Sequence, residues 1–155
     1  MATAPTMKNA NATTCERLRR MSRENVGVVV GMFENVNVRD FSAVMDAYAD
    51  DVVLGLHGDL WTLGGREVVG KDAVGSWFGD WFRTFDSDYR FEIEETRDWG
   101  DRVLIVARHH ARGRTSGVEV NQRMAWIYTV LDGKVVRCDA YRDLQEALEA
   151  AEPTA

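Results

Sequence analysis

From Tyr89 to Tyr141 the chain alternates apolar and polar side chains in four successive runs separated by glycine-containing turns. In "YRFEIEETRDW" Tyr89, Phe91 and Ile93 alternate with Arg90, Glu92 and Glu94, the period of two that puts one strand face in a core and the other in water. Gly100 turns the chain into "RVLIVARHHAR", a turn with "TSG" leads into "VEVNQRMAWIYTVL", and Asp132-Gly133 marks a hairpin into "KVVRCDAY". This pattern commits a third of the chain to a sheet of consecutive neighbouring strands. In the long strand after Gly117, Gln122, Met124, Trp126, Tyr128 and Val130 share one face, while Asn121, Arg123, Ala125, Ile127 and Leu131 share the other. Both faces carry apolar residues, so both are expected to be covered, one by helices and the other by a second copy of the chain.

The helices lie earlier and after the sheet. Ser22 is placed to cap a helix with Glu24 in its first turn, and Val26, Val29, Val30 and Phe33 follow on one face. The run "VGVVVG" favours a strand by propensity alone, but the period decides for helix. Asp40 caps a second helix carrying Phe41, Val44, Met45 and Tyr48, before "ADDVVLGLH" becomes a short strand. Gly64 and Gly65 mark a loop, and a third helix runs from about Lys71 to Phe85 with Val74, Trp77, Phe78, Trp81, Phe82 and Phe85 on a broad aromatic face. "LQEALEAA" closes the chain as a short helix. At 155 residues this is one domain with one core. Residues 1–21 read as a flexible extension, 22–150 as the domain and 151–155 as a tail.

A net charge of −6 argues against a polyanion, so nucleic acid is not an expected partner. No apolar run suits a signal peptide or a bilayer span, and Cys15 and Cys138 lack the spacing of a metal or redox pair; a cytoplasmic protein with free thiols is expected. Neither a metal nor a cofactor is expected, since no P-loop, dinucleotide fingerprint or clustered ligand set is present.

Two of the three histidines, His109 and His110, are adjacent in one strand and must face opposite ways. His110 joins Arg108 and Arg112 on the outer side. His109 joins Val103, Ile105, Ala107 and Ala111 on the inner side, and the two alanines leave room beside its imidazole, as a pocket wall would. A neutral imidazole there suits acid or base work near neutral pH, against the plainer reading of a core histidine with one nitrogen bonded. Asp139 falls on the outer face with Arg137 and Tyr141, an ion-pair position opposite Arg123 or Arg108. The side taken by His57 is open.

The order of these elements, with "RDFSAVMDAYADDVV", "GKDAVGSWF" and "DGKVVRCDAYRD", resembles the SnoaL-like proteins of the nuclear transport factor 2-like superfamily over about residues 22 to 150. The resemblance implies an α+β fold, a cone-shaped α+β barrel in which a curved, mostly antiparallel sheet wraps three helices around a deep apolar pocket. Relatives in that superfamily include polyketide cyclases, ketosteroid isomerases and limonene-type epoxide hydrolases. The acid that cyclases and epoxide hydrolases carry on the last strand falls at Ala140. The isomerase tyrosine and aspartate fall near Met32 and Leu56, and the Arg-x-Asp pair of the epoxide hydrolases falls at Ala107 and His109.

The expected function is binding of a small, largely apolar molecule, such as an aromatic or polycyclic carbonyl compound, with cofactor-free acid or base chemistry at His109. Trp61, Trp77, Trp81, Met124, Trp126 and Tyr128 would form the apolar wall, with the Tyr128 hydroxyl and Gln122 as orienting groups. A binding protein without chemistry is the rival reading, and a dimeric interaction module with a filled core is the third.

Overall fold

The computed structural model describes residues 6–58 and 66–151, with side chains from residue 13 onward. Its elements are α1 (Thr6–Asn37), α2 (Phe41–Asp46), β1 (Tyr48–Leu56), β2 (Arg66–Val69), α3 (Lys71–Arg83), β3 (Arg90–Trp99), β4 (Arg102–Arg112), β5 (Glu119–Leu131), β6 (Lys134–Tyr141) and α4 (Leu144–Ala151). The six strands form one sheet in the order β2-β1-β6-β5-β4-β3. Every neighbouring pair is antiparallel except β1 with β6. Register shifts between Ile93 and Glu95 and between Thr129 and Val130 insert extra residues. Such bulges bend strands and raise their twist, which curves this open sheet around its helices.

The alternation sorts side chains as the period of two requires. Register places Ile105 beside Trp126, and Trp126 beside Ala140. These inward residues join Val29, Met32 and Phe33 of α1 and Val74 of α3 in the main core. Phe33 is a hub, with ring centroids 5.6 Å from Phe91, 6.5 Å from Trp126 and 6.0 Å from Tyr128. Helical packing thus overrides the strand propensity of the valine run. Asp40 caps α2, its carboxylate accepting from the Ala43 N–H at 3.1 Å.

The structure departs from the sequence reading at one helix boundary and adds two features to it. α1 does not begin at Ser22: it runs unbroken from Thr6, and the Ser22 hydroxyl donates to Asp98 instead of capping the helix. Residues 13–21 are exposed, so no buried stripe announces them. They are nevertheless rich in good helix formers such as Arg, Leu and Met, which extend a helix already nucleated downstream. The short strand β2 has no alternation long enough to be seen in advance. On the outer sheet face, Leu104, Ala125, Ile127 and Tyr141 are covered by Ala147 and Ala151 of α4 in the same chain, with Leu144 and Leu148 packed alongside. That apolar strip therefore needs no second copy to leave water.

Beyond α4 the outer face is charged. Glu94 accepts from Arg108 at 3.3 Å and pairs with Arg123 at 3.0 Å, and Arg108 donates to Asn121 at 2.9 Å. Among the described residues no helix is long and apolar enough to cross a membrane.

Candidate functional site

Between the concave sheet face and α1, α2 and α3 lies a cavity of about 870 Å³. Phe33 comes from α1, Val44 and Met45 from α2, and Phe78, Trp81 and Phe82 from α3, while Tyr48, Phe91, Trp126 and Tyr128 come from the strands. The size falls within the range of about 300–1,000 Å³ usual for small-molecule sites. Its lining is largely apolar because α3 turns its aromatic stripe toward the sheet. Phe82 stacks on Tyr89 with centroids 4.8 Å apart, and Phe78 lies 6.2 Å from Trp126.

Three phenols, of Tyr48, Tyr89 and Tyr128, line this largely apolar chamber, and two of them lie deepest. Tyr48 opens β1, and Tyr128 sits in the middle of β5, next to Cys138 in the β5–β6 register. Burial, followed by the neighbouring Cys138, raises both tyrosines well above the ordinary phenol range. Burial and then Asp139 likewise push the Cys138 thiol up. All three groups therefore hold their protons at neutral pH. Cys138 is the register partner of Tyr128 across the β5–β6 pair. Sulfur is a weak acceptor, so a carbonyl oxygen entering the cavity would be the better partner for a phenol proton.

His109 lies on the inward face, 1% exposed, but it does not line this cavity. Phe91, its register partner on β3, stacks on the imidazole with centroids 4.6 Å apart and planes 16° apart. Trp81 lies 4.9 Å away, and Phe85 meets the ring edge-on at 4.8 Å. The room left by Ala107 and Ala111 is thus filled by rings from α3 and β3. Burial, and secondarily the neighbouring His110, lowers the His109 pKa to about 4, so the ring is neutral at pH 7. Its Nε2 is buried without a hydrogen-bond partner among the described residues.

The other expected wall residues divide. Trp81, Trp126 and Tyr128 line the cavity, whereas Met124 is buried beside it in the core. Trp77 faces a second, shallower cleft with Arg66, Val68 and Asp80. Gln122 is the register partner of His109 and stands outside the lining, and Trp61 lies outside the described residues. Sequence reasoning missed Arg39 and did not single out Tyr48, Phe33 and Phe91 as site residues. The three aromatic residues had been read only as members of regular patterns, and Arg39 carried no signal.

His57 takes the outer side. Its Nε2 lies 2.8 Å from Asp139 Oδ1, and its ring stacks on Tyr141 at 4.5 Å. Asp139 also accepts from Arg137 Nε at 2.9 Å, so its partners are Arg137 and His57, not Arg123 or Arg108. Gly55 makes this possible, because a Cβ there would lie 2.3 Å from the Asp139 carboxylate. Replacing Gly55 with alanine is expected to force the His57–Asp139–Arg137 cluster apart and cost about 1–3 kcal/mol, measured by urea unfolding. Among the described residues no group of three or more His, Cys, Asp or Glu side chains is placed to hold a metal.

No curated protein matches the chain. Among solved structures, an NTF2-like protein of unknown function from Burkholderia pseudomallei superposes with a TM-score of 0.66 at 20% identity, covering 81% of this chain and 95% of that one. RV0760c from Mycobacterium tuberculosis, in complex with estradiol-17beta-hemisuccinate, gives 0.66 at 20% identity, covering 79% and 95%. TerC co-crystallized with polyporic acid gives 0.66 at 18% identity, covering 81% and 96%. At these identities the likeness establishes the fold, which hosts many unrelated activities. The profile of the SnoaL-like domain matches residues 29–138, from the buried half of α1 to the Cys138 that faces Tyr128, and the chain belongs to that family.

Proposed function

We propose that the cavity binds a small, largely apolar molecule, an aromatic or polycyclic carbonyl compound, without a cofactor. The observation that carries this reading is the chamber itself: about 870 Å³ walled by aromatic rings, with the protonated phenols of Tyr48 and Tyr128 beside it. Apolar walls supply affinity through area removed from water, and a small number of placed donors supply orientation. The fold is compatible with such a role, since RV0760c and TerC hold estradiol-17beta-hemisuccinate and polyporic acid.

The reading closest to the residues is binding, with Tyr128 as the donor to a ligand oxygen. Chemistry at His109 is a second reading, favoured by one observation: a buried imidazole nitrogen with no hydrogen-bond partner among the described residues. An unsatisfied buried polar atom costs about 1–3 kcal/mol and calls for a compensating use. Because Trp81 both lines the cavity and covers His109, rotation of that indole would join the two. The setting we propose is the cytoplasm, in keeping with two free cysteines, one exposed and one buried. We also propose pairing of two copies across the charged outer face around Glu94, Arg108 and Arg123.

Thermal-shift screening of steroid and polycyclic aromatic ketones is the test. A binder is expected to raise the melting temperature. Tyr128→Phe should weaken that binder about tenfold, the worth of one hydrogen bond in a dry site. If no ketone of either class stabilises the protein, the binding reading is wrong. Turnover of a binder that survives unchanged in His109→Ala would exclude the catalytic reading alone.

A further inference from the structure

The charged side chains lining the cavity are Arg39, Asp72, Arg83 and Arg114, three cations and one anion in a protein whose net charge is −6. Arg83 is paired with Asp80 on its own helix. Among the described residues neither Arg39 nor Arg114 forms an ion pair, so a positive surplus borders an apolar chamber. Low-dielectric walls concentrate such a field toward the opening.

Arg39 is the more telling of these residues. It ends the turn between α1 and α2 with φ 65°, in the left-handed region. A side chain there costs about 1–2 kcal/mol relative to glycine, so glycine would be the easier residue for the corner. What arginine adds is a fixed guanidinium. It donates to the carbonyls of Val36 at 2.8 Å and Asn37 at 3.3 Å and to those of Ser87 and Tyr89, and it lies 3.7 Å over the Tyr89 ring. Carbonyl dipoles and a ring face orient a cation and leave its charge uncancelled. The result is a positive group locked at the cavity wall, with the exposed Arg114 and Arg83 able to move toward it.

We infer that the occupant of this cavity is an amphiphilic acid: an apolar, ring-bearing body with a carboxylate at one end, the carboxylate held by the exposed Arg114 and Arg83 in the field of Arg39, whose own Nη–H groups are already donated to backbone carbonyls. Asp72 opposes this and sets an orientation, since a carboxylate is repelled from the first turn of α3 toward the three arginines. The inference rests on the cavity being a binding site, as proposed above.

The experiment compares pyrenebutyrate with its methyl ester, two probes that share the apolar body and differ in charge, by fluorescence titration of the whole protein. The acid should bind about tenfold more tightly than the ester, the worth of one charge-assisted contact. Raising the salt from about 50 mM to about 500 mM should shrink that preference and leave the ester unchanged. In the double variant Arg83→Gln/Arg114→Gln, both sites being exposed, the ratio of acid to ester affinity should fall severalfold. Arg39→Gln should reduce it further; if that variant melts early, the double variant decides. Equal binding of acid and ester, or a preference that ignores the arginine substitutions, would overturn the inference while leaving the cavity a binding site. Failure of both probes and of the ketone panel would overturn both readings.

Discussion

Acidification from pH 7 to pH 4 is expected to cost the native state about 3 kcal/mol through one side chain, His109. In the folded chain its pKa is lowered from 6.5 to about 4 by burial and by His110. Each unit between those values corresponds to about 1.4 kcal/mol. Above pH 6.5 the imidazole is neutral in both states and contributes nothing. Between 6.5 and 4 the unfolded chain binds a proton that the folded chain refuses, so stability falls with falling pH and the loss levels off below about 4. Urea unfolding at several pH values reads this directly. His109→Phe places an apolar ring among Trp81, Phe85 and Phe91, removes the unpartnered nitrogen, and should flatten the pH dependence between 6.5 and 4. A His109→Phe variant with the native slope in that window would show that the imidazole is not isolated from water as the structure places it.

Truncating Phe33 to alanine should remove about 3–5 kcal/mol, the usual cost of deleting a buried aromatic ring. Phe33 contacts Phe91, Trp126 and Tyr128 and also lines the cavity. Its loss therefore weakens the core and enlarges the chamber together. A ketone ligand that stabilises the native protein should stabilise Phe33→Ala as well, with a bulkier ketone now preferred. Denaturant midpoints with and without ligand check both halves. A loss below 1 kcal/mol would place the hub of the core elsewhere.

The sheet was readable because alternation survives wherever one face is dry. β3 to β6 follow the period of two, and the turn glycines Gly100 and Gly133 take positive φ where the sequence places turns. α3 was readable from its aromatic stripe. The start of α1 was not, because an exposed helix carries no hydrophobic period, and β2 is too short to show one. At the site, the inward position of His109 followed from strand parity alone. What parity cannot give is the third dimension: which residues from α3 cross over to fill the gap beside Ala107. That contact depends on how the sheet curves, and it turned a suspected cavity wall into a caged ring. Arg39 was invisible for a related reason, since its importance lies in a backbone conformation that arginine rarely adopts.

Ala140 is the inward residue of β6 and pairs with Trp126, and it is fully buried. A methyl group there leaves its volume to the indole across the strand. Because Ala140 stands in the core outside the cavity lining, the chamber meets the outline of Trp126 there and no acid or base from β6.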